Sequence, residues 1–347
     1  MKAQFQAIYL KKRFPLAISR GVHLGSENLF VSITRDGITG WGETSPGKTE
    51  GVDSVEAAQT ILETFLRQDI DHLSIHQVYD LAVEQQIPPC ALAGLDIALW
   101  DWLGKKAGLP LYQMLGISKP IVPTSVTIGI NPPEVVRERV PLLMEGTGVK
   151  SLKIKLGSPD GIDADKEMYQ QVVDSTAKYD VNLRVDANGG WSADDAIHMM
   201  KWISDRNADY IEQPLKEGQE SELPRLFKNR PLPIYVDESC RSSSDIPGFA
   251  DCVDGVNLKL MKCGGITEAL RIIAVARAFN LKTMIGCMGE SSMSISAAAA
   301  ITGLLNHVDL DSHLNLDPDP CTGAQLVDGI MMPNDLPGHG AAVKSSN

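Results

Sequence analysis

The 347-residue sequence predicts an α/β protein: a (β/α)8 barrel of the TIM type, preceded by a smaller α+β segment. Three observations carry this. From about residue 122 onward, short β-like runs alternate with helical patterns at intervals of about 20 to 31 residues. Polar residues in those runs keep to one parity near the run's end, as residues lining a barrel mouth would. The first 120 or so residues lack this alternation and read as strands followed by helices.

In the first segment, FVSITRDGITGWGETSP is expected to form a hairpin turning at Asp36-Gly37. SVEAAQTILETFLRQ has helical spacing behind the N-cap candidate Ser54. CALAGLDIALWDWLGKKAGLPLYQMLG is a second, strongly apolar helical region that runs to the turn at Gly108-Leu109-Pro110. The eight barrel strands are then expected in PTSVTIGI, SLKIKLG, NLRVDAN, YIEQP, IYVDES, GVNLKLM, KTMIGC and HLNLD. Helices fall between them, in PEVVRERVPLLMEG, DADKEMYQQVVDSTAKY, SADDAIHMMKWISD and ITEALRIIAVARAFN. The division is residues 1–120 against a barrel over 121–324.

Composition excludes several classes of partner. The hydrophobic share of 43% and charged share of 22% suit a chain with a sizeable core. A net charge of −12 without a basic run argues against nucleic acid and anionic membrane surfaces. The N-terminus has no secretory pattern, and the most apolar late stretch is broken by Glu290 and several serines, so no membrane span is expected. Cys90, Cys240, Cys252, Cys263, Cys287 and Cys321 form no CxxC pair, which points to reduced thiols in a cytoplasm.

The strand ends carry the chemistry. In SLKIKLG, Lys153 and Lys155 share one face while Leu152, Ile154 and Leu156 share the other. Arg184, Asp186 and Asn188 share a parity in NLRVDAN, as do Asn257 and Lys259 in GVNLKL. Asp186, Glu212 and Asp237 end three successive strands and converge on one spot in a barrel. One such acid alone reads as a solvated strand end or a helix N-cap. Three packed together repel unless a cation neutralises them, and hard oxygen ligands without His or Cys suit Mg²⁺.

Lys155 on strand 2 and Lys259 on strand 6 lie across a closed barrel from each other, with the acids between. Lys153, roughly 7 Å from Lys155 along the strand face, is expected to lower the Lys155 pKa by like-charge repulsion. One amine on each face of a carbon is the requirement of two-base racemisation or epimerisation, with a Mg²⁺-bound carboxylate sharing the enediolate charge.

KIK (153–155), RVDAN (184–188), IEQP (211–214), VDES (236–239) and NLKLMKCGG (257–265), with AGLDIALWDWLGKKAGLPLYQMLG (93–116), together resemble the enolase superfamily, in its muconate lactonizing enzyme subgroup. The resemblance spans nearly the whole chain. It implies a capping domain, built from residues 1–120 and the tail 325–347, set over the barrel mouth. It implies Asp186, Glu212 and Asp237 as Mg²⁺ ligands, Lys155 and Lys259 as the acid/base pair and Lys153 as the partner lysine. Lys262 is not the base, because the family's lysine sits five residues before the glycine matching Gly264. The histidine-base branch has a His where this chain has GCMGES, and the enolase branch lacks the lysine pair.

Subgroup members carry out cycloisomerisation, dehydration to o-succinylbenzoate, N-acylamino-acid racemisation and dipeptide epimerisation. Dipeptide epimerases have an Asp-x-Asp for the substrate's N-terminal amine, and NLDPDP, with Asp317 and Asp319 at the expected end of strand 8, resembles it. Thr127 and Cys287 match positions lining the dipeptide site in those enzymes, and Asn188 joins them on the Asp186 face. Arg20, in LAISRGVHLGSENL, falls near an arginine that takes the glutamate carboxylate in L-Ala-D/L-Glu epimerases, which favours Ala-Glu; Glu50, if it lined the pocket, would favour a basic residue.

The expectation is a Mg²⁺-dependent dipeptide epimerase acting on a small dipeptide, with a homo-oligomer implied by resemblance. A racemase or cycloisomerase of the same subgroup remains open, as does a non-catalytic barrel that binds a peptide or metabolite. GWGETSPG is not a phosphate loop: Ser45 stands where the last glycine belongs, and the run joins strands. No HExxH occurs, and His313 is expected to be structural.

Overall fold

In the computed structural model, which describes residues 1–228 and 230–344, the chain begins with a three-stranded antiparallel sheet. Its strands are β1 (Lys2–Ile18), β2 (Gly21–Arg35) and β3 (Ile38–Thr44). The β2–β3 turn is the expected one, with Asp36 and Gly37 both left-handed at φ 53° and 75°. The β1–β2 register shifts between Lys11 and Leu16, so the hairpin beyond that point departs from the sheet.

Three helices back the sheet. In α1 (Val55–Phe65) the Ser54 side chain caps the Ala57 N–H, and α2 (Ile75–Glu84) opens on a Ser74–Gln77 capping box. The long α3 (Pro89–Ala107) is buried over most of its length. It lies so close to β3 that a Cβ on Gly42 would sit 2.1 Å from the Gly94 carbonyl, and one on Gly40 2.0 Å from that of Ala98. The glycines of GWG serve this contact. The other face of α3 meets the barrel, where Asp96 accepts both the backbone N–H and the hydroxyl of Thr267 and the Trp100 indole donates to that hydroxyl.

After the short α4 (Leu111–Met114), eight parallel strands follow: β4 (Ser125–Ile128), β5 (Ser151–Lys155), β6 (Asn182–Asp186), β7 (Ala208–Glu212), β8 (Ile234–Val236), β9 (Gly255–Leu258), β10 (Lys282–Ile285) and β11 (His307–Val308). They pair in chain order, and a Thr124–Val308 bridge joins first to last. Between them run α5 (Pro133–Met144), α6 (Ile162–Thr176), α7 (Ala193–Ser204), α8 (Leu223–Phe227), α9 (Leu260–Cys263), α10 (Ile266–Ala278) and α11 (Ser292–Ala299). Leu152, Ile154, Val185, Ile211, Val236 and Val256 are buried in the core cluster that runs through the molecule. Inside, a floor of Tyr210, Tyr235 and Met284, with His307 against Tyr210, fills the lower barrel. Chemistry is left to the mouth.

One strand differs from expectation. The eighth is β11, not HLNLD. Residues Ser312–Asn315 form a 3-10 turn, and Leu316 then bridges Lys12 of β1. Of the two leucines in HLNLD, Leu316 is buried against the N-terminal sheet and Leu314 is exposed, so neither belongs to a barrel strand.

The chain returns through β12 (Cys321–Thr322), the β13 (Gln325–Val327)–β14 (Ile330–Met332) hairpin and β15 (Ala342–Val343), which pairs with β12. Cys321 and Ala341 pack with Phe30 and Met293, joining tail, sheet and barrel. Among the described residues, no helix is long and apolar enough to cross a membrane.

Candidate active site

The register places Lys155, Asp186 and Glu212 side by side on β5, β6 and β7. Asp237 follows β8 and Lys259 follows β9. All five are buried. Asp186, Glu212 and Asp237 each offer an oxygen within 4.8 Å of the others, a group that could hold a metal ion. The chemistry of the donor set, three carboxylates without His or Cys, fits Mg²⁺. Glu212 Oε2 and Asp237 Oδ2 accept no well-directed hydrogen bond. Only lysine amines approach them, Lys153 at 2.8 Å and Lys259 at 2.7 Å. Among the described residues these two buried oxygens are thus balanced by ammonium charge and not by a directed hydrogen bond, a setting that suits a cation.

The charges are strongly coupled. Burial would raise the Asp186 carboxyl, but Lys155 and Lys153 outweigh it and hold it at about 2. Glu212 goes the other way, up to about 8, because burial and neighbouring Asp186 disfavour its charge. Burial is again outweighed at Asp237, which Lys259 and Lys262 keep well below the carboxylate range.

Lys155 lies 2.6 Å from Asp186. Lys153 touches Asp309 at 2.6 Å, Glu212 at 2.8 Å and Asp186 at 3.4 Å. Burial alone would lower the Lys153 pKa, but these acids hold it well above the usual amine value. The like-charge pressure expected from Lys153 on Lys155 is therefore met by three carboxylates that offset the Lys153 charge.

Neighbouring groups aim the acids. Asn257 donates to Glu212 at 2.8 Å, and Gln213 accepts the Asp237 N–H at 2.7 Å. Lys262 is buried with its amine on Asp237 Oδ1, at 2.5 Å, and on the carbonyls of Asp237, Cys240 and Asn257. Sequence reasoning set Lys262 aside as a base and missed that it anchors Asp237. Asn188 bonds Asp186 through its backbone N–H and its side chain, and its carbonyl accepts Ser19 and Arg20 from the β1–β2 hairpin.

Across the mouth, the pair expected at Asp317 and Asp319 lies elsewhere. Asp317 is exposed beyond the 3-10 turn, and Asp319 binds the Ser292 hydroxyl and the Cys321 N–H. The carboxylates that leave strand 8 are Asp309 and Asp311, two residues apart just past β11. Asp309 accepts Ser125 and Lys153, both at 2.6 Å. Asp311 accepts the Thr127 N–H at 2.6 Å and lies 4.0 Å from Cys287 Sγ. Burial and neighbouring Asp309 raise the Asp311 carboxyl to about 6. Thr127 and Cys287 thus fall beside this corner. The same spacing, Asp-Leu-Asp, stood in the sequence eight residues upstream of the segment chosen.

Arg20 reaches the mouth but is engaged, 2.7 Å from Glu238. Glu50 folds back on its own turn and accepts from Thr49.

An eight-stranded barrel beneath an antiparallel cap, with three acids between opposed lysines, defines the class: this is the fold and mouth of the enolase superfamily. Residues 4–116 match the mandelate racemase/muconate lactonizing enzyme N-terminal domain, and residues 135–347 match the enolase C-terminal domain-like family. The chain belongs to that mandelate racemase/muconate lactonizing enzyme family. It is 66% identical over 344 residues to a hydrophobic dipeptide epimerase of Flavobacteria bacterium (strain MS024-2A), covering 99% of each chain. It is 34% identical to an L-Ala-D/L-Glu epimerase of Bacteroides thetaiotaomicron, covering 98% of this chain and 87% of that one. The dipeptide epimerase of Enterococcus faecalis V583, solved with Mg and L-Leu-L-Tyr, superposes with a TM-score of 0.89 at 30% identity, over 98% of this chain and 99% of that one.

Proposed function

We propose that the protein is a Mg²⁺-dependent dipeptide epimerase that inverts the α-carbon of the second residue of an L,L-dipeptide. One observation carries the reading: Lys155 and Lys259 stand on strands four apart in an eight-stranded barrel, flanking the three-carboxylate group. Asp186, Glu212 and Asp237 hold the metal, which supplies Lewis-acid stabilisation to the substrate carboxylate. Lys155 takes the α-proton from one face, and Lys259 returns one to the other. Lys153 stays an ammonium and orients the acids beside it. Asp309 and Asp311, rather than Asp317 and Asp319, clamp the substrate's N-terminal ammonium.

An apolar second residue suits the site better than the glutamate first expected. Arg20 is already neutralised by Glu238. It lines a groove of about 400 Å³ between the hairpin tip and the β4 and β5 exits, in which Ile18, Val22, Ile130 and Pro159 stand with the polar Ser158 and Asp160. The name hydrophobic dipeptide epimerase, borne by the 66% identical relative, supports the same choice. We place the enzyme in the cytoplasm, on its six free thiols.

The test is a mass-spectrometric screen of an L,L-dipeptide library in D2O with Mg²⁺. α-Deuterium incorporation with inversion in Ala-Leu-like dipeptides is expected. Silence toward every dipeptide, with N-acylamino acids exchanging instead, would replace the epimerase by a racemase.

A further inference from the structure

Lys12 stands where β1 calls for an apolar side chain. Leu10, two residues before it on the same face, is fully buried, and Lys12 itself is only 9% exposed. Its neighbours Lys11 and Arg13 point outward and are exposed. Lys12 is held there from both sides: its backbone bridges Leu316, and the Asp317 N–H donates to the Lys11 carbonyl. β1 is thereby stitched to the chain leaving strand 8.

The amine comes to rest over the exit of strand 7, 3.9 Å from where a Cβ on Gly289 would be. That loop is fixed by Asn28 and Ser26 of β2, which donate to the Gly289 carbonyl at 2.6 and 3.1 Å. Among the described residues, no hydrogen bond or ion pair engages the Lys12 amine. Burial lowers its pKa, and the acidic groups acting on it are Cys287 and Asp311. The stem is buried while the amine keeps a free edge, so a charged ligand can meet it without first displacing a protein partner.

Cys287 lies two residues before Gly289 in that loop and 4.0 Å from Asp311, so the amine stands near the corner these two form. Asp309 is committed to Lys153 and Ser125, whereas Asp311 makes no close ion pair among the described residues and accepts the Thr127 amide, with the Cys287 thiol at 4.0 Å. On the reading above, on which this inference rests, that corner receives the first residue of the dipeptide, its ammonium on the two aspartates. We propose that Lys12 is the charge filter for that residue's side chain. It pairs with the carboxylate of an aspartyl or glutamyl first residue and repels a lysyl or arginyl one. The substrate class is then dipeptides with an acidic or neutral first residue and an apolar second.

The experiment compares kcat/KM for L-Glu-L-Leu and L-Lys-L-Leu in the Mg²⁺-loaded full chain, in wild type, Lys12→Met and Lys12→Gln. Wild type is expected to prefer L-Glu-L-Leu by more than about tenfold, and both neutral variants to lower that ratio by about tenfold or more. The ratio is independent of how much of each variant folds. A ratio that both variants leave within about twofold of wild type, or a wild-type preference for L-Lys-L-Leu, would overturn the filter while leaving the epimerase intact. Failure of the wild type to exchange any dipeptide would sink both.

Discussion

Two walls of the same mouth are built differently. On the wall of β6, β7 and β8, every acid is aimed by groups close by in the barrel: Asn188 on Asp186, Asn257 on Glu212, Gln213 and Lys262 on Asp237. On the wall of β10, β11 and β4, the acids face residues distant in sequence, with Asp311 on Thr127 and Lys12 arriving from the first strand of the chain. On the proposed reading the first wall has one task, to hold a hard cation in a fixed place, and its acids are buried and closely bonded. On the same reading the second meets the substrate's side chains, and it is assembled from segments far apart in the chain. Damage to the first wall should therefore fall on kcat, and damage to the second on KM and substrate choice.

The sharpest break is removal of the metal. Chelation with EDTA should abolish epimerisation, and added Mg²⁺ should restore it; activity that survives exhaustive chelation would remove the metal from the first wall. Next comes Lys259→Ala, which should lower inversion by about 10²- to 10⁴-fold while Lys155 still exchanges the α-proton from its own face. Chiral chromatography beside deuterium counting reads the two separately. Retained inversion would mean that Lys259 is not the second base.

Asp311→Asn tests the other wall. It should lower kcat/KM roughly 10- to 100-fold, mainly through KM, because a neutral amide replaces one half of an ammonium clamp. The wild-type pH profile should report the same group. As pH falls through about 6, Asp311 takes up a proton and loses its charge, so KM rises while kcat is less affected. The Asp311→Asn profile should lack that acid limb. Lys262→Met should weaken Mg²⁺ binding by about 10- to 100-fold, measured by calorimetry, since Asp237 loses its anchor. The smallest effect belongs to Glu238→Gln. Freed from its partner, Arg20 should raise the Ala-Glu to Ala-Leu kcat/KM ratio by about 3- to 10-fold. An unchanged ratio would take Arg20 out of substrate selection.

How much of this the sequence discloses follows the same division. The three acids and the lysines are legible because each sits in, or directly after, a strand whose parity it continues, and because the acids fall at the ends of three consecutive strands. The eighth strand is only two residues long, too short to show any alternation, while HLNLD shows a clear one outside the barrel. Asp309 and Asp311 were lost with it. Lys12 reads as one of three adjacent surface charges, Lys11, Lys12 and Arg13, and its burial depends on Leu316, some 300 residues away in the chain. Lys262 is a similar case, since its own segment does not reveal four acceptors brought together from the β8 exit and β9.

The close seating of α3 carries a consequence for how substrate enters. With Gly40 and Gly42 pressed on one side of that helix and Thr267 bonded to the other, the cap cannot swing away from the barrel as a body without parting a close-packed seam. Entry falls instead to the hairpin past the register shift at Lys11 and Leu16, a stretch of about ten residues joined to the metal side through Ser19 and Arg20. A movement of the hairpin is therefore passed to the acids, because the Asn188 it grips is the residue that bonds Asp186.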